Sequence, residues 1–245
     1  MQPKVAPNWR NSFALAVRVV ALFGCVTFVC VFATCATASE IPDPDAARFE
    51  QDILAFESWD RQNSFPPDAV LFVGSSSIRM WQSAERFPDV PVINRGFGGS
   101  HTSDVNHFAE RVVVRYKPRL IVFYAGDNDI EAGKTPQHVF DDFQAFANLV
   151  HKQLPQTRIV YLPIKPSLAR WSKWPRMQEV NAQVENLSKA ENRIVYVDTA
   201  TPMLGEDGRP RSELFLDDGL HLNDKGYELW TKVLSPFLHK VLAAD

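Results

Sequence analysis

Short apolar runs alternate with amphipathic stretches over most of the chain. Five of the runs have the length and the apolar content of buried strands: 69–73, 91–94, 120–124, 158–162 and 194–197. The segments between them repeat apolar residues at helical spacing: 46–60, 77–81, 102–116, 135–154, 176–190 and 222–242. This alternation predicts an α/β fold, in which helices cover both faces of one parallel sheet in three layers.

The first 38 residues follow a different pattern. Three basic residues precede a nearly unbroken apolar run, 19–31, and Ala-Thr-Ala follows it at 36–38. A positive start, an apolar middle and a small-x-small site are typical of a secretory signal peptide. We therefore expect a signal peptide over 1–38, cleaved after Ala38, and an exported (periplasmic or secreted) domain over 39–245. The alternative is an uncleaved signal anchor, because the apolar segment approaches the length that spans a bilayer.

The composition narrows the chemistry of that domain. The chain has 245 residues, 45% hydrophobic and 22% charged, and its formal charge of -3 does not favour nucleic acid as a partner. All three cysteines, Cys25, Cys30 and Cys35, lie within the predicted signal peptide. The expected domain therefore has no disulfide, no thiolate metal site and no cysteine nucleophile.

Polar or glycine-rich clusters follow the first three predicted strands, and a fourth lies near the C-terminus. They are Gly-Ser-Ser-Ser at 74–77, Arg-Gly-Phe-Gly-Gly-Ser at 95–100, Gly-Asp-Asn-Asp at 126–129 and Asp-Asp-Gly-Leu-His-Leu-Asn at 217–223. Parallel strands end at one edge of a sheet, so the first three clusters converge there, where open α/β folds bind ligands. Taken alone, serines after a strand are common turn and N-cap residues. The stretch 74–78 is not the nucleophile elbow of α/β-hydrolases, because Ile78 stands where that motif has its second glycine.

Together the clusters contain the groups that ester hydrolysis needs. Ser76 can act as a nucleophile, His221 as the base that takes its proton, and Asp218 as the group that orients the base. Gly99 can offer a backbone N–H and Asn128 a side-chain amide to a developing oxyanion. Each residue also has an ordinary structural role, so the hypothesis depends on finding all of them in one chain.

In these four blocks and their order, the chain resembles the SGNH hydrolase family, also called GDSL-type lipases and esterases. The resemblance implies Ser76, Asp218 and His221 as catalytic residues, and the N–H of Ser76, Gly99 and Asn128 as the oxyanion hole. It also implies a flavodoxin-like sheet of five parallel strands, with no metal and no cofactor. One departure is Ser75, which stands where the family's commonest first block has aspartate. Ser75 and Ser77 remain alternative nucleophiles.

Two groups of residues could instead bind a metal. Asp127 and Asp129 are candidate carboxylate ligands, although aspartates after strands more often cap a backbone. His101, Asp104 and His107 recur at three-residue spacing, as zinc ligands on a helix can. Three-residue steps drift around a helix, so we expect Asp104 and His107 on an exposed face and His101 at the pocket.

Further side chains are candidates for substrate contact. Arg170, Trp171 and Trp174 follow the fourth strand, where an exposed indole could stack on a sugar ring or could pack a loop on the domain. Arg79 and Arg95 lie beside the first two clusters, and each could bind a substrate anion or pair with a nearby acid.

The sequence thus predicts an exported serine esterase that cleaves short-chain acyl esters, with an O-acetyl group on a carbohydrate as the favoured substrate. A lysophospholipase or phospholipid acylhydrolase and a sugar O-acyltransferase are alternatives that use the same serine. A carbohydrate-binding protein without catalysis is a further alternative, which the complete set of Ser, Gly, Asn, Asp and His disfavours.

Overall fold

The structure, a computed structural model, describes residues 41–242. Its sheet contains the strands β1 (Val70–Gly74), β2 (Val92–Gly96), β3 (Leu120–Tyr124), β4 (Arg158–Tyr161) and β5 (Ile194–Tyr196). They lie in the order β2-β1-β3-β4-β5, and every neighbouring pair is parallel. The predicted five-stranded parallel sheet is confirmed.

Helices connect the strands. Their bounds are α1 (Glu50–Gln62), α2 (Ser76–Arg79), α3 (Ser83–Arg86), α4 (Thr102–Val112), α5 (Asp127–Ala132), α6 (Pro136–Gln153), α7 (Trp174–Ala190) and α8 (Asp224–Leu242). Within residues 41–242, no helix combines the length and the apolar character needed to cross a membrane.

The central strands are buried on both faces, which is why they read as continuous apolar runs. Leu71 and Val73 of β1 face one core, while Val70 and Phe72 face the other. Residues of α1, α4, α6 and α7 complete the first core. Trp81 and residues of α8, including Trp230, complete the second. The predicted three-layer α/β/α arrangement is therefore correct.

The differences from the predicted elements lie in short helices. The predicted helix over 102–116 is interrupted, because α4 ends at Val112 and a single 3₁₀ turn follows over Val114–Tyr116. Lys117 after that turn adopts a left-handed conformation, which ends the helical path. The helices α3 and α5 were not predicted, since four and six residues are too few to show helical periodicity. The predicted signal peptide over 1–38 lies outside the described residues.

Candidate active site

The turn between β1 and α2 exposes one serine of three. Gly74 has a φ of +139°, and a Cβ there would lie 1.8 Å from the carbonyl oxygen of Tyr124, so only glycine fits. Ser75 is fully buried, and its N–H donates to that same carbonyl oxygen at 3.0 Å. Ser77 is also buried, whereas Ser76, the first residue of α2, is partly exposed. The close packing of β1 on β3 thus leaves Ser76 as the accessible hydroxyl.

Ser76, His221 and Asp218 form one hydrogen-bonded chain. The Nε2 atom of His221 lies 3.1 Å from the Oγ atom of Ser76. Its Nδ1 atom lies 2.6 Å from the Oδ2 atom of Asp218. A carboxylate can only accept, so Nδ1 carries the proton of the neutral ring and Nε2 is left to accept the serine proton. Ser76 and His221 are 145 residues apart in sequence. The structure brings the three predicted residues together in the arrangement of an activated serine.

A tight turn holds the carboxylate against the imidazole. The Oδ1 atom of Asp218 accepts the N–H groups of Leu220 and His221, both at 2.9 Å. The N–H of Leu216 donates to the carbonyl of His221 at 2.8 Å and closes the turn. Hydrogen bonds from the His221 side chain and from these two N–H groups lower the pKa of Asp218 to about 2. The carboxylate is therefore ionised at neutral pH.

The glycine-rich loop after β2 offers an unoccupied backbone donor. Gly99 is exposed, with a φ of +85° and no atom within 4 Å of the position that a Cβ would take. Among the described residues, its N–H makes no hydrogen bond. The loop is fixed on the Ser76 side, because the N–H of Phe97 donates to the carbonyl of Gly74 at 2.9 Å.

The side-chain amide of Asn128 is held in one orientation. Its Oδ1 atom accepts from Arg170 at 3.1 Å, and its Nδ2 atom donates to the carbonyl of Ser100 at 3.1 Å. Because a guanidinium can only donate, the contact with Arg170 fixes which end of the amide is oxygen. Nδ2 carries two protons and Ser100 takes one, so the second is available to a bound oxyanion beside the Gly99 loop.

A buried charge cluster supports that arginine. Asp127 lies 3.2 Å from Arg170 and 3.3 Å from Lys165, whose side chain is 1% exposed. Burial alone would raise the pKa of Asp127, but the two cations outweigh burial and lower it. Lys165 also lies 3.2 Å from the hydroxyl of Tyr124. Asp127 is thus held by two cationic side chains as well as by the backbone N–H of Asn128, and the ammonium of Lys165 already serves it as the cation.

On the other side of Asn128, Asp129 pairs with one cation and with the start of a helix. It accepts the N–H of Thr102 at the beginning of α4 and lies 3.1 Å from Lys134. Desolvation raises the pKa of Asp129 to about 6, against the lowering effect of Lys134. His101 begins α4, and desolvation followed by the charge of Lys134 lowers its pKa to about 4. His101 is therefore neutral near pH 7.

The expectation that Asp104 lies on an exposed face is wrong. Asp104 is 1% exposed, accepts the N–H of His101 at 2.7 Å and pairs with Arg48. Helix α4 packs against α1 and the sheet as well as α6, so the turn that carries Asp104 is covered. His107 is exposed as predicted. The carboxylate is used at the start of the helix and is not aligned with the two imidazoles as a metal ligand.

A different trio has ligand atoms close enough to hold a metal ion. Asp43, His138 and Asp142 place ligand atoms within 4.8 Å of one another. The ammonium of Lys134 lies 2.5 Å from Asp43 and 3.0 Å from Asp142, so it already neutralises both carboxylates. A donor set that contains a lysine ammonium does not fit a cation.

The residues predicted to bind substrate lie near the carboxyl ends of the strands, where Asn128 and the Gly99 loop also lie. His101 is half-buried directly after the Gly99 loop, and Arg170 contacts Asn128. Trp171 is partly exposed and stacks on Trp174, with ring centroids 6.2 Å apart, while Trp174 is buried. Direct contact of His101, Arg170 and Trp171 with substrate stays a prediction. Trp174 packs the loop on the core.

The sequence reasoning missed both buried lysines. Lys165 occurs in Pro-Ile-Lys-Pro directly after β4, and Lys134 follows Gly133 at the end of α5. A lysine next to apolar residues at the carboxyl end of a strand is a usable signal for Lys165. No local pattern marks Lys134, because only Asp129 and Asp142 are near it in sequence, while Asp43 and Ser103 come from distant segments.

Comparison with known proteins gives one family. The sequence model of the GDSL-like lipase/acylhydrolase family matches residues 74–229. Platelet-activating factor acetylhydrolase IB subunit alpha1 of Homo sapiens is 28% identical over 185 residues, which cover 72% of this chain and 78% of that protein. The alpha2 subunit of Gallus gallus is 28% identical over 208 residues, or 78% and 86% of the two chains.

Solved structures share the fold. A GDSL-like lipase from Bacteroides thetaiotaomicron aligns with a TM-score of 0.64 and 21% identity, over 80% of this chain and 98% of that one. A carbohydrate esterase family 3 protein from Talaromyces cellulolyticus aligns with a TM-score of 0.60 and 17% identity, over 74% and 100%. At these identities the likeness concerns the fold.

Proposed function

Since the chain belongs to the GDSL-like lipase/acylhydrolase family and is a carboxylic ester hydrolase, we propose that it is a serine esterase with Ser76 as its nucleophile. In this proposal His221 is the base and Asp218 orients it. The observation that carries the proposal is the 3.1 Å contact between Ser76 Oγ and His221 Nε2, with Asp218 at the other ring nitrogen. Its support is geometric, since a base must lie within hydrogen-bond reach of the proton it takes.

The reaction follows from those contacts. Ser76 Oγ bonds to the ester carbonyl carbon while its proton passes to His221 Nε2. The oxyanion lies among the N–H groups of Ser76 and Gly99 and the free Nδ2 proton of Asn128. The bond to the alcohol oxygen then breaks, and His221 returns the proton to that oxygen. Water attacks the acyl-enzyme in the same way and releases the acid and free Ser76.

For the substrate we propose a short acyl group, and acetyl first. The name of the Homo sapiens relative contains "acetylhydrolase", and that protein covers most of the domain. An O-acetyl group on a carbohydrate remains the favoured natural ester, with Trp171 at the rim as the ring on which a sugar could stack. His101, which is neutral near pH 7, would line the site as a hydrogen-bonding group.

Two alternatives use the same serine. A sugar O-acyltransferase would pass the acyl group to an added sugar alcohol in preference to water. A lysophospholipase or phospholipid acylhydrolase would prefer long-chain esters. A carbohydrate-binding protein without catalysis would leave a fluorophosphonate probe unattached to Ser76. Each alternative therefore has a direct readout that separates it from a short-chain esterase.

The test is hydrolysis of p-nitrophenyl acetate, butyrate and octanoate by the wild type and three single variants. We expect activity to fall with chain length and to vanish in Ser76→Ala. Ser75→Ala and Ser77→Ala are matched controls, because they remove the same hydroxyl from buried neighbours and should keep activity. Activity that survives in Ser76→Ala and vanishes in either control would move the nucleophile.

We also propose that the protein is exported by the signal peptide over 1–38. The support is the charged, apolar and small-residue pattern of that segment. N-terminal sequencing of the protein made in a bacterial host should give Ser39 as the first residue outside the cytoplasm. A full-length product that sediments with membranes would instead support the anchor.

A further inference from the structure

Arg79 lies one helical turn from the proposed nucleophile. It is the last residue of α2, three residues after Ser76, so the two side chains are neighbours on that helix. Its guanidinium lies against the loop that carries the Gly99 N–H, in contact with Gly98. A positive charge is thus placed beside the loop that carries the proposed oxyanion donor, close in sequence to the serine.

Two glycines make room for this arginine. A Cβ on Gly98 would lie 2.7 Å from Cζ of Arg79 and 2.9 Å from its Nε and Nη2, so the guanidinium packs against the glycine backbone. A Cβ on Gly96 would lie 2.3 Å from the backbone nitrogen of Arg79. Neither glycine has a positive φ, so backbone conformation does not require glycine there. A Cβ at Gly96 would instead meet the backbone of α2, and one at Gly98 would displace the guanidinium of Arg79.

Arg79 differs from the other arginines near the site in having no partner. Arg95 is buried and pairs with Asp60, and Arg170 pairs with Asp127. The side chain of Arg79 is exposed, and within residues 41–242 it makes no hydrogen bond and no ion pair. A cation that no carboxylate neutralises can bind an anion without first losing a partner.

The guanidinium also borders a cleft. The cleft encloses about 370 Å³ between α2, α3 and β2, and Phe56 and Met80 are among its apolar lining residues. Glu85 is the one carboxylate among the lining residues; it stands on α3 and forms no ion pair with Arg79. A group of modest size therefore has room beside Arg79, and the residues that line the serine are not part of this cleft.

We propose that Arg79 forms an anion subsite, and that the natural ester carries a carboxylate or a phosphate on its alcohol portion. The charge belongs to the alcohol because an acetyl group carries none. The inference rests on the proposed function for the ester reaction, and it adds the charge of the substrate. A planar guanidinium suits both groups, since each presents two oxygens to its paired N–H donors.

The experiment compares matched neutral and anionic acetate esters with full-length protein. For the carboxylate, 4-acetoxybenzoate is compared with its methyl ester; for the phosphate, acetylglycerol 3-phosphate is compared with acetylglycerol. Each kcat/KM of a variant is divided by the wild-type value for the same ester, which cancels differences in intrinsic reactivity. The pair that responds more strongly identifies the kind of anion.

In Arg79→Gln we expect kcat/KM for an anionic ester to fall roughly tenfold to hundredfold more than for its neutral partner, mainly through KM. Arg79→Lys should restore part of the loss, because it keeps the charge without the fork. Arg61→Gln is the matched control, since Arg61 is exposed on α1 and its loss changes the net charge equally. It should change the two esters alike.

Two results would overturn the proposal. Equal losses on both esters of each pair would mean that Arg79 only supports the loop, and no loss on either would mean that it binds nothing there. Failure of the proposed function is seen separately, as Ser76→Ala with wild-type activity. If the wild type cleaves no ester, calorimetric titration with 4-hydroxybenzoate still decides: binding that Arg79→Gln abolishes supports the subsite, and binding unaffected by it refutes the subsite.

Discussion

At the scale of single residues, Asn128 is the proposed oxyanion donor whose side-chain orientation is fixed by two hydrogen bonds. Arg170 holds its oxygen and Ser100 takes one of its two protons. We predict that Asn128→Ala lowers kcat by about 10² to 10³, the usual effect of removing one oxyanion donor. The measurement is steady-state hydrolysis of p-nitrophenyl acetate, with KM followed separately.

A matched asparagine is available as a control for this variant. Asn106 donates its side-chain amide to the carbonyl of Asp142, between α4 and α6. Asn106→Ala removes the same group and should leave kcat within about twofold, because the amide is not near the reacting atoms. Full activity in Asn128→Ala would remove Asn128 from the proposed oxyanion hole.

His101 provides a prediction about pH. Desolvation and the charge of Lys134 lower its pKa from 6.5 to about 4, so the folded protein binds this proton less readily than the unfolded chain does. The ring is neutral in both states above pH 6.5, and as pH falls from 6.5 towards 4 only the unfolded chain takes up a proton, so the folded state loses stability. We expect the loss to be about 1–2 kcal/mol, because solvent still reaches the half-buried ring.

Urea unfolding at pH 7.5, 5.5 and 4.5 checks this prediction. His101→Gln keeps a polar side chain without a titrating group, so its unfolding free energy should fall less between pH 7.5 and 4.5 than that of the wild type. His107→Gln is the control, because His107 is exposed on the same helix. Parallel pH curves for the wild type and His101→Gln would contradict the assignment.

At the scale of elements, the turn that carries Asp218 and His221 depends on one glycine. Gly219 has a φ of +63°, and a Cβ there would lie 3.1 Å from the Cβ of Leu168. Gly219→Ala should lower the unfolding free energy by about 1–2 kcal/mol through the left-handed conformation. It should also lower kcat, because the turn fixes the carboxylate on the imidazole.

A variant of Gly208 is the control that separates the effect on the unfolding free energy from the effect on kcat. It has a φ of +72° in a turn of its own, with no atom within 4 Å of the position of a Cβ. Gly208→Ala should therefore cost a similar unfolding free energy, measured by urea denaturation, and leave kcat unchanged. If Gly219→Ala loses stability but keeps its kcat, the turn does not position the histidine as we describe.

The elements that the sequence predicted are those whose pattern is set by burial alone. The strand β3 was predicted with its observed bounds, and the other strands to within two residues. The signal is clearest in β1 and β3, because strands buried on both faces are continuous apolar runs. The short helices α3 and α5 were missed. The helix α5 begins after Gly126, whose φ of +116° is a backbone feature that no side-chain periodicity reports.

The candidate site was predictable where short sequence blocks occur along the chain in the order known from the family. Ser76, Asn128 and His221 could be chosen because each lies within one of these blocks. The support beneath them could not be chosen in this way. Lys165 is buried against Asp127, 38 residues away. Lys134 joins the distant Asp43 to its near neighbours Asp129 and Asp142. Only the folded chain brings these charges together.

At the scale of the whole molecule, Lys134 links segments that the sheet does not join. Its ammonium, fully buried, lies 3.1 Å from Asp129, 3.0 Å from Asp142 and 2.5 Å from Asp43. The first carboxylate belongs to α5 and the second to α6, and the third precedes α1. The ion cluster thus fastens the chain before the first helix to the elements beside Asn128.

We predict that Lys134→Met lowers the unfolding free energy by about 3–5 kcal/mol at pH 7, since it leaves the buried carboxylate of Asp129 without a cation. Lys189→Met is the control, because Lys189 forms an exposed pair with Glu185 that contributes only about 0.5 kcal/mol. The pKa of Asp129 is already raised to about 6 by desolvation, and loss of Lys134 raises it further. A carboxyl group whose pKa is raised by folding is penalised above that pKa and relieved below it.

The variant should therefore lose less stability at pH 5 than at pH 7, as measured by urea unfolding at both values. Asp129→Asn in the Lys134→Met background should recover part of the loss at pH 7, because it replaces the unpaired charge by a neutral side chain of the same shape. A double-mutant cycle should then give a coupling of about 1 kcal/mol or more between the two residues. Equal losses at both pH values, together with additive effects, would mean that Lys134 acts through packing and not as the counter-ion of the cluster.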